Sequence, residues 1–147
     1  MCFDHLVVSQ VVPTNPASSV RGPKHVVKKG KTPVLSSTQA RTLLDAIDTT
    51  RIVGLRDRAF IGVMVFSFAR VSAVCGMRVE DYYPDGKRCW IRLHETGGKF
   101  HEVPAHHNVE AYVDVYLERA GIGDDRRAPL FRTIRKGALT DRPFTRT

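Results

Sequence analysis

Apolar residues along this chain fall into short blocks, and the spacing within them changes partway. Ala40, Leu43, Leu44 and Ile47 form one helical stripe. Ser36-Ser37-Thr38-Gln39 precedes it. Ser36 and Gln39 have capping-box spacing, in which each side chain satisfies an orphan amide of the first turn. A second helix is predicted from about Leu55 to Ala69. It is apolar nearly all round, with Phe60, Ile61, Val63, Met64, Val65, Phe66 and Phe68, which predicts a central buried helix. A short third helix is expected after Arg70, over Ser72 to Met77.

From Lys87 the period becomes two. Cys89 to Leu93 and Phe100 to Val103 predict two strands. Gly97-Gly98 between them supplies the positive φ angles of a tight turn, and Pro104 closes the second strand. Trp90 is expected in the core, and Arg92, His94 and His101 on the exposed side of the strands. Asn108 is the expected cap of the next helix. Val109, Tyr112, Val113, Tyr116, Leu117 and Ala120 form its apolar face, and Gly121 is its stop. Beyond Gly121 the chain reads as loop, with Pro129-Leu130-Phe131 as the one apolar cluster. Together these elements predict an α+β fold, mainly helical, with a small antiparallel β-hairpin or sheet.

Three segments follow from this pattern. Residues 1–12 could be a short helix or strand. Residues 13–35 read as a linker, punctuated by Pro13, Pro16, Gly22, Pro23, Gly30 and Pro33. Residues 36–147 hold the predicted core. The linker carries Arg21, Lys24, Lys28, Lys29 and Lys31 with no acid, and an extended basic segment can track phosphates without a fixed fold. A solvated linker is the plainer reading of the same residues. Residues 126–146 are also basic, with seven Arg or Lys against Asp141 alone.

The whole chain has a formal net charge of +8, which favours an anionic partner, nucleic acid foremost. Its three cysteines, Cys2, Cys75 and Cys89, show no C-x-x-C spacing, so neither a disulfide framework nor a zinc site is indicated. His106-His107 lacks an acid or cysteine partner, and adjacent histidines are expected to point apart; no metal is expected. The start of the chain lacks the features of a signal peptide. The most apolar run, Ala59 to Ala69, falls short of the ~20 residues that span a bilayer. A cytoplasmic protein with no membrane role is the expectation.

The order of elements carries a resemblance. Leu55-Arg56-Asp57-Arg58-Ala59 through Phe68-Ala69-Arg70-Val71-Ser72 resembles the buried helix and first catalytic arginine of the tyrosine recombinases, the phage-integrase family. Met77-Arg78-Val79-Glu80-Asp81, Gly97-Gly98-Lys99 through Val103-Pro104, and Pro129-Leu130-Phe131 are similar to the segments that follow in that family, in the same order. The resemblance covers roughly residues 13–133. It implies a partial catalytic domain over residues 36–147, an interdomain linker over 13–35, and the tail of a helical core-binding domain over 1–12.

It also implies roles. In this family a tyrosine attacks a phosphodiester and leaves a 3′-phosphotyrosyl bond, so no cofactor is implied. Arg70 matches the arginine that holds the non-bridging oxygens, a task suited to the guanidinium fork. A lysine in the hairpin turn serves the family as general acid. With Val103-Pro104 fixing the register, the usual lysine position falls on Thr96, a poor proton donor, and Lys99 stands three residues later. Ala73 stands where many members have an acid. No His-x-x-Arg occurs after residue 104, and Tyr82, Tyr83, Tyr112 and Tyr116 are misplaced or core residues.

The expected partners are double-stranded DNA, through Lys28, Lys29, Lys31, Arg92 and His101, and other recombinase protomers, at the bacterial nucleoid. The function implied is site-specific DNA recombination or integration, with these residues binding DNA but not cutting it alone. The alternative is a non-catalytic DNA-binding module that competes or partners with a full-length recombinase. A basic protein without a nucleic-acid role is a third reading. The helix over 55–69 is expected to lack part of its cover, making the isolated chain poorly soluble.

Overall fold

The computed structural model of the chain describes residues 2–20, 34–94 and 98–145. The chain divides into two compact units, Met1–Val34 and Leu35–Thr147. In the first, α1 spans Cys2–Val8. Asn15 donates to the Asp4 carboxylate at 2.7 Å and accepts from the Ala17 amide at 2.8 Å, which folds the following turn beside the helix.

The second unit opens on a capped helix. Ser36 Oγ accepts from the Gln39 amide at 3.2 Å, and Gln39 Oε1 accepts from the Ser36 amide at 2.9 Å. This capping box starts α2, Ser37–Asp45. Only Leu44 of its apolar stripe is buried; Leu43 is exposed. Helix α3 spans Ile52–Ser67 and starts earlier than its apolar run predicts. Gly54 permits this, because a Cβ there would sit 1.8 Å from the Asp48 carbonyl oxygen. Phe68 is not part of the buried helix. It forms the left-handed C-cap at φ 54°, which swings its ring off the stripe to 93% exposure.

After the short α4, Val71–Cys75, and one 3-10 turn over Val79–Asp81 come β1 (Tyr82–Asp85), β2 (Arg88–His94) and β3 (Phe100–Pro104). They form an antiparallel sheet in the order β1-β2-β3. The sequence predicts the second and third strands and misses the first. Pro84 and Pro104 both sit on edge strands, where a missing donor breaks no ladder. Ile91 and Leu93 of the central strand are buried, whereas Trp90 is half-buried on the other face.

Helix α5 spans His107–Ala120 and stops at Gly121, φ 63°. Its cap is His106, not Asn108. The helix begins two residues earlier than expected, so the Asn108 amide needs an acceptor and finds His106 Nδ1 at 3.2 Å. Val109, Val113 and Tyr116 face the core. Helices α3 and α5 pack closely at Gly62, where a Cβ would meet the Tyr112 ring at 2.9 Å.

The stretch beyond Gly121 is not all loop. Strands β4 (Arg132–Arg135) and β5 (Ala138–Pro143) form a hairpin through Lys136 and Gly137, both at positive φ. Its apolar pair Ile134 and Leu139 lie opposite each other, and Leu139 packs on the core. Leu130 and Phe131 are fully buried, with Phe131 edge-on to Phe60 at 5.1 Å. Phe144 covers Phe60 from another side, also at 5.1 Å. Helix α3 is therefore better covered than expected, and none of its described side chains over 52–67 is exposed. No helix among the described residues is long and apolar enough to cross a membrane.

Candidate active site and nucleic-acid interface

Arg70 sits at an elbow between two helices. Ser67 Oγ donates to the Val63 carbonyl at 2.6 Å and accepts from the Ala69 amide at 3.3 Å, which closes the end of α3. Phe68 turns the chain, and Arg70 takes an extended conformation as the N-cap of α4. Its carbonyl accepts from the Ala73 and Val74 amides at 2.9 and 3.2 Å. The backbone is thus pinned by α4 while the side chain is exposed, flanked by exposed Phe68 and Val71. Ala73 is buried in the core, at a position where a carboxylate would need a buried partner.

Helix α4 packs against β2, the strand that leads toward Lys99. Between β2 and the segment that follows α4 lies a polar cavity of about 360 Å³ lined by Gly76, Arg78, Glu80, Asp81, Arg92 and His94. Asp81, missed by sequence reasoning, is the buried member, at 2% exposure. It accepts from the Arg78 amide at 2.8 Å and bonds His94 Nε2 at 2.9 Å. That bond ties the base of the β2–β3 turn to the helical side of the unit. Nothing in the local pattern marks Asp81, because its partner lies 13 residues on.

The strand cations do not act as a set. Arg92 pairs across strands with Glu102, Nε to Oε1 2.8 Å, and its guanidinium lies 5.0 Å from the Tyr83 ring centre. The Arg92 bond, and then one from Tyr83, hold the Glu102 carboxyl below the usual range. Side chains alternate along a strand, so Arg92 and Glu102 share one face while His101, opposite Leu93, belongs to the other. Arg92 is half-buried and ion-paired; His101 and Lys99 are exposed. Lys28, Lys29, Lys31 and Thr96 lie outside the described residues.

Three of the four tyrosines carry a phenol that is harder to ionise than usual. Tyr82 OH donates to Asp114 at 2.8 Å, and burial first, then hydrogen bonding, pushes its pKa far up. Burial, followed by Glu102, raises that of Tyr83. Burial pushes Tyr116 up to about 12. Tyr112 stacks under the Arg58 guanidinium at 4.2 Å. His106 and His107 do not diverge as expected. Their rings lie 4.0 Å apart and continue a stack onto Phe66. Among the described residues no group of three or more His, Cys, Asp or Glu is arranged to hold a metal ion.

An exposed arginine at the end of a buried helix, a following helix on the sheet and a Gly-Lys turn agree with the sequence resemblance. The sequence model of the phage integrase family matches residues 33–147. The chain belongs to the phage integrase family. Curated tyrosine recombinases are among its relatives. "Tyrosine recombinase XerC" of Myxococcus xanthus is 29% identical over 150 residues, covering 98% of this chain and 49% of the relative. Its counterpart from Pelobacter propionicus is 30% identical, covering 98% and 46%. That from Chlamydia muridarum is 28% identical, covering 94% and 44%. The chain thus spans about half the length of these recombinases.

Proposed function

We propose that this chain serves site-specific DNA recombination, and that residues 1–147 on their own bind duplex DNA without cutting it. The placement of Arg70 carries this reading. Its backbone is fixed between α3 and α4, and its side chain is exposed at the elbow. A guanidinium held this way suits the non-bridging oxygens of a phosphodiester, whose charge grows in the transition state. In this reading Arg70 holds the scissile phosphate. Lys99, exposed beside the β2–β3 turn, contacts the backbone or the leaving oxygen. Lys28, Lys29 and Lys31 neutralise phosphates from an interdomain linker over 13–35, and residues 36–147 supply the first part of a catalytic domain. Residues 1–12 correspond to the tail of a core-binding domain. The partners are double-stranded DNA and further recombinase protomers, and the setting is the bacterial cytoplasm.

Cleavage needs groups that these residues do not supply. There is no His-x-x-Arg after residue 104, and the raised phenols of Tyr82, Tyr83 and Tyr116 are poor nucleophiles. Loss of one member of a cooperating site removes most of its rate enhancement.

The test is a binding titration of the 147-residue protein against a labelled duplex, with a nicked suicide duplex run in parallel. Binding should weaken by orders of magnitude between about 50 and 200 mM salt, and no covalent protein–DNA adduct should form. An adduct would overturn the non-cleaving part. Site preference that survives at ~150 mM salt would favour the stand-alone binding module. No binding at low salt would overturn the DNA reading.

A further inference from the structure

The hairpin Arg132–Pro143 has no part in the site built around Arg70, yet it carries chemistry on one face. Ile134 and Leu139 face each other on the inner side, with Leu139 packed on the core. By alternation Thr133 and Arg135 point the other way. On that outer side the Thr133 and Thr140 hydroxyls meet at 2.6 Å. Thr133 Oγ1 donates to the Arg142 carbonyl at 3.4 Å, and the Arg142 amide donates to Thr140 Oγ1 at 3.2 Å. A shallow groove of about 490 Å³ runs between Arg135 and Arg142 over the two threonines, with Ile134 and Asp141 also in its lining. Arg135, Lys136 and Arg142 are all exposed. The one acid on the hairpin, Asp141, is exposed at the rim of this groove and pairs with Arg132 Nη1 at 3.2 Å, which leaves Arg135, Lys136 and Arg142 in excess over it.

The hairpin is also firmly mounted. Arg56 Nη1 donates to the Arg132 carbonyl at 2.9 Å, and the Phe144 amide donates to the Phe131 carbonyl at 2.9 Å. Lys136 and Gly137, at φ 52° and 82°, make a two-residue turn that holds the basic tip on a short rigid stem. Little conformational entropy is lost when such a surface meets a ligand.

We propose that the outer face of the β4–β5 hairpin is a second DNA contact, gripping the phosphodiester backbone through Arg135, Lys136 and Arg142, with the Thr133–Thr140 hydrogen bonds holding the two strands in place beneath them. This rests on the DNA-binding reading above and adds a surface to it. Charge-assisted bonds from guanidinium and ammonium groups are common backbone contacts. Asp141, the one carboxylate at the groove, is paired with Arg132 and is outnumbered by three exposed cations, and the face's width of two strands suits a single backbone rather than a folded acidic protein.

The experiment is a salt titration of duplex binding by anisotropy for three proteins. They are the wild type, the triple variant Arg135→Gln, Lys136→Gln, Arg142→Gln, and a matched triple, Lys87→Gln, Arg88→Gln, Arg119→Gln, at exposed cations elsewhere. Each phosphate contact contributes about 0.9 to the slope of log K against log salt. The hairpin triple should lower that slope by about 2–3, and the matched triple by less than about 1. A second readout does not depend on variants: duplex should protect Lys136 from acetylation in the wild type. An unchanged slope in the hairpin triple, an equal loss in the matched triple, or unprotected Lys136 would overturn the proposal while leaving DNA binding intact. Failure of the wild type to bind at low salt would overturn both.

Discussion

Glu102 shows how one residue sets what its neighbour can do. Its carboxylate holds Arg92, and the same bond lowers its own pKa. A lowered folded pKa means the pair contributes at pH values above the ordinary glutamate range. That contribution is lost as pH falls through the depressed folded value. A carboxyl NMR titration should therefore place the Glu102 midpoint below that of an unperturbed glutamate. Glu102→Gln should release Arg92 and, if Arg92 then reaches a phosphate, steepen the salt dependence of duplex binding by about 0.9. A midpoint at the ordinary value would show that the pair does not persist in solution. Sequence singles out Arg92 as a strand cation, but its neutralisation by Glu102 depends on register, which a strand pattern alone leaves open.

At the scale of elements, the ends are where sequence and structure part company. The Ser36–Gln39 box and Gly121 are legible because capping chemistry is local. The start of α3 is not, because it depends on Gly54 passing under the Asp48 carbonyl. Gly54→Ala forces a Cβ into that oxygen, and should destabilise the protein by about 2–3 kcal/mol despite alanine's better helix propensity. A urea unfolding series would show this as a lower midpoint at unchanged m; an unshifted midpoint would mean that α3 starts later. Three strands also escape the sequence pattern: β1, β4 and β5. The signals lie in Gly86 and in Lys136-Gly137, which turn at positive φ. They were weak because the flanking strands are short and half exposed.

Over the whole second unit, one buried side chain joins distant parts of the chain. Arg56 is 7% exposed and reaches the Arg132 carbonyl, 76 residues away, while its guanidinium lies 4.7 Å from the Phe144 ring centre. Arg56→Met keeps much of the volume but strands that carbonyl. The expected cost is about 1–3 kcal/mol. Amide hydrogen exchange should speed up in β4 and β5 more than in α5. Equal acceleration everywhere would mean that Arg56 acts through general stability and not as a tie to the hairpin. Arg56 reads in sequence as one more charge at a helix start, beside Asp57, and its burial follows only once Leu130, Phe131 and Phe144 close over α3.

Sequence by itself determined the helical cores, the central hairpin, the basic character and the family, because periodicity, caps and ordered motifs are properties of neighbouring residues. It also placed Arg70 after the buried helix. Tertiary structure alone decided that Phe68 turns outward, that Arg92 is held by Glu102 and that Asp81 anchors His94. It likewise decided that the basic stretch after Phe131 is a mounted hairpin. Each of these depends on contacts between residues far apart in the chain, where burial and hydrogen-bond satisfaction override the local pattern.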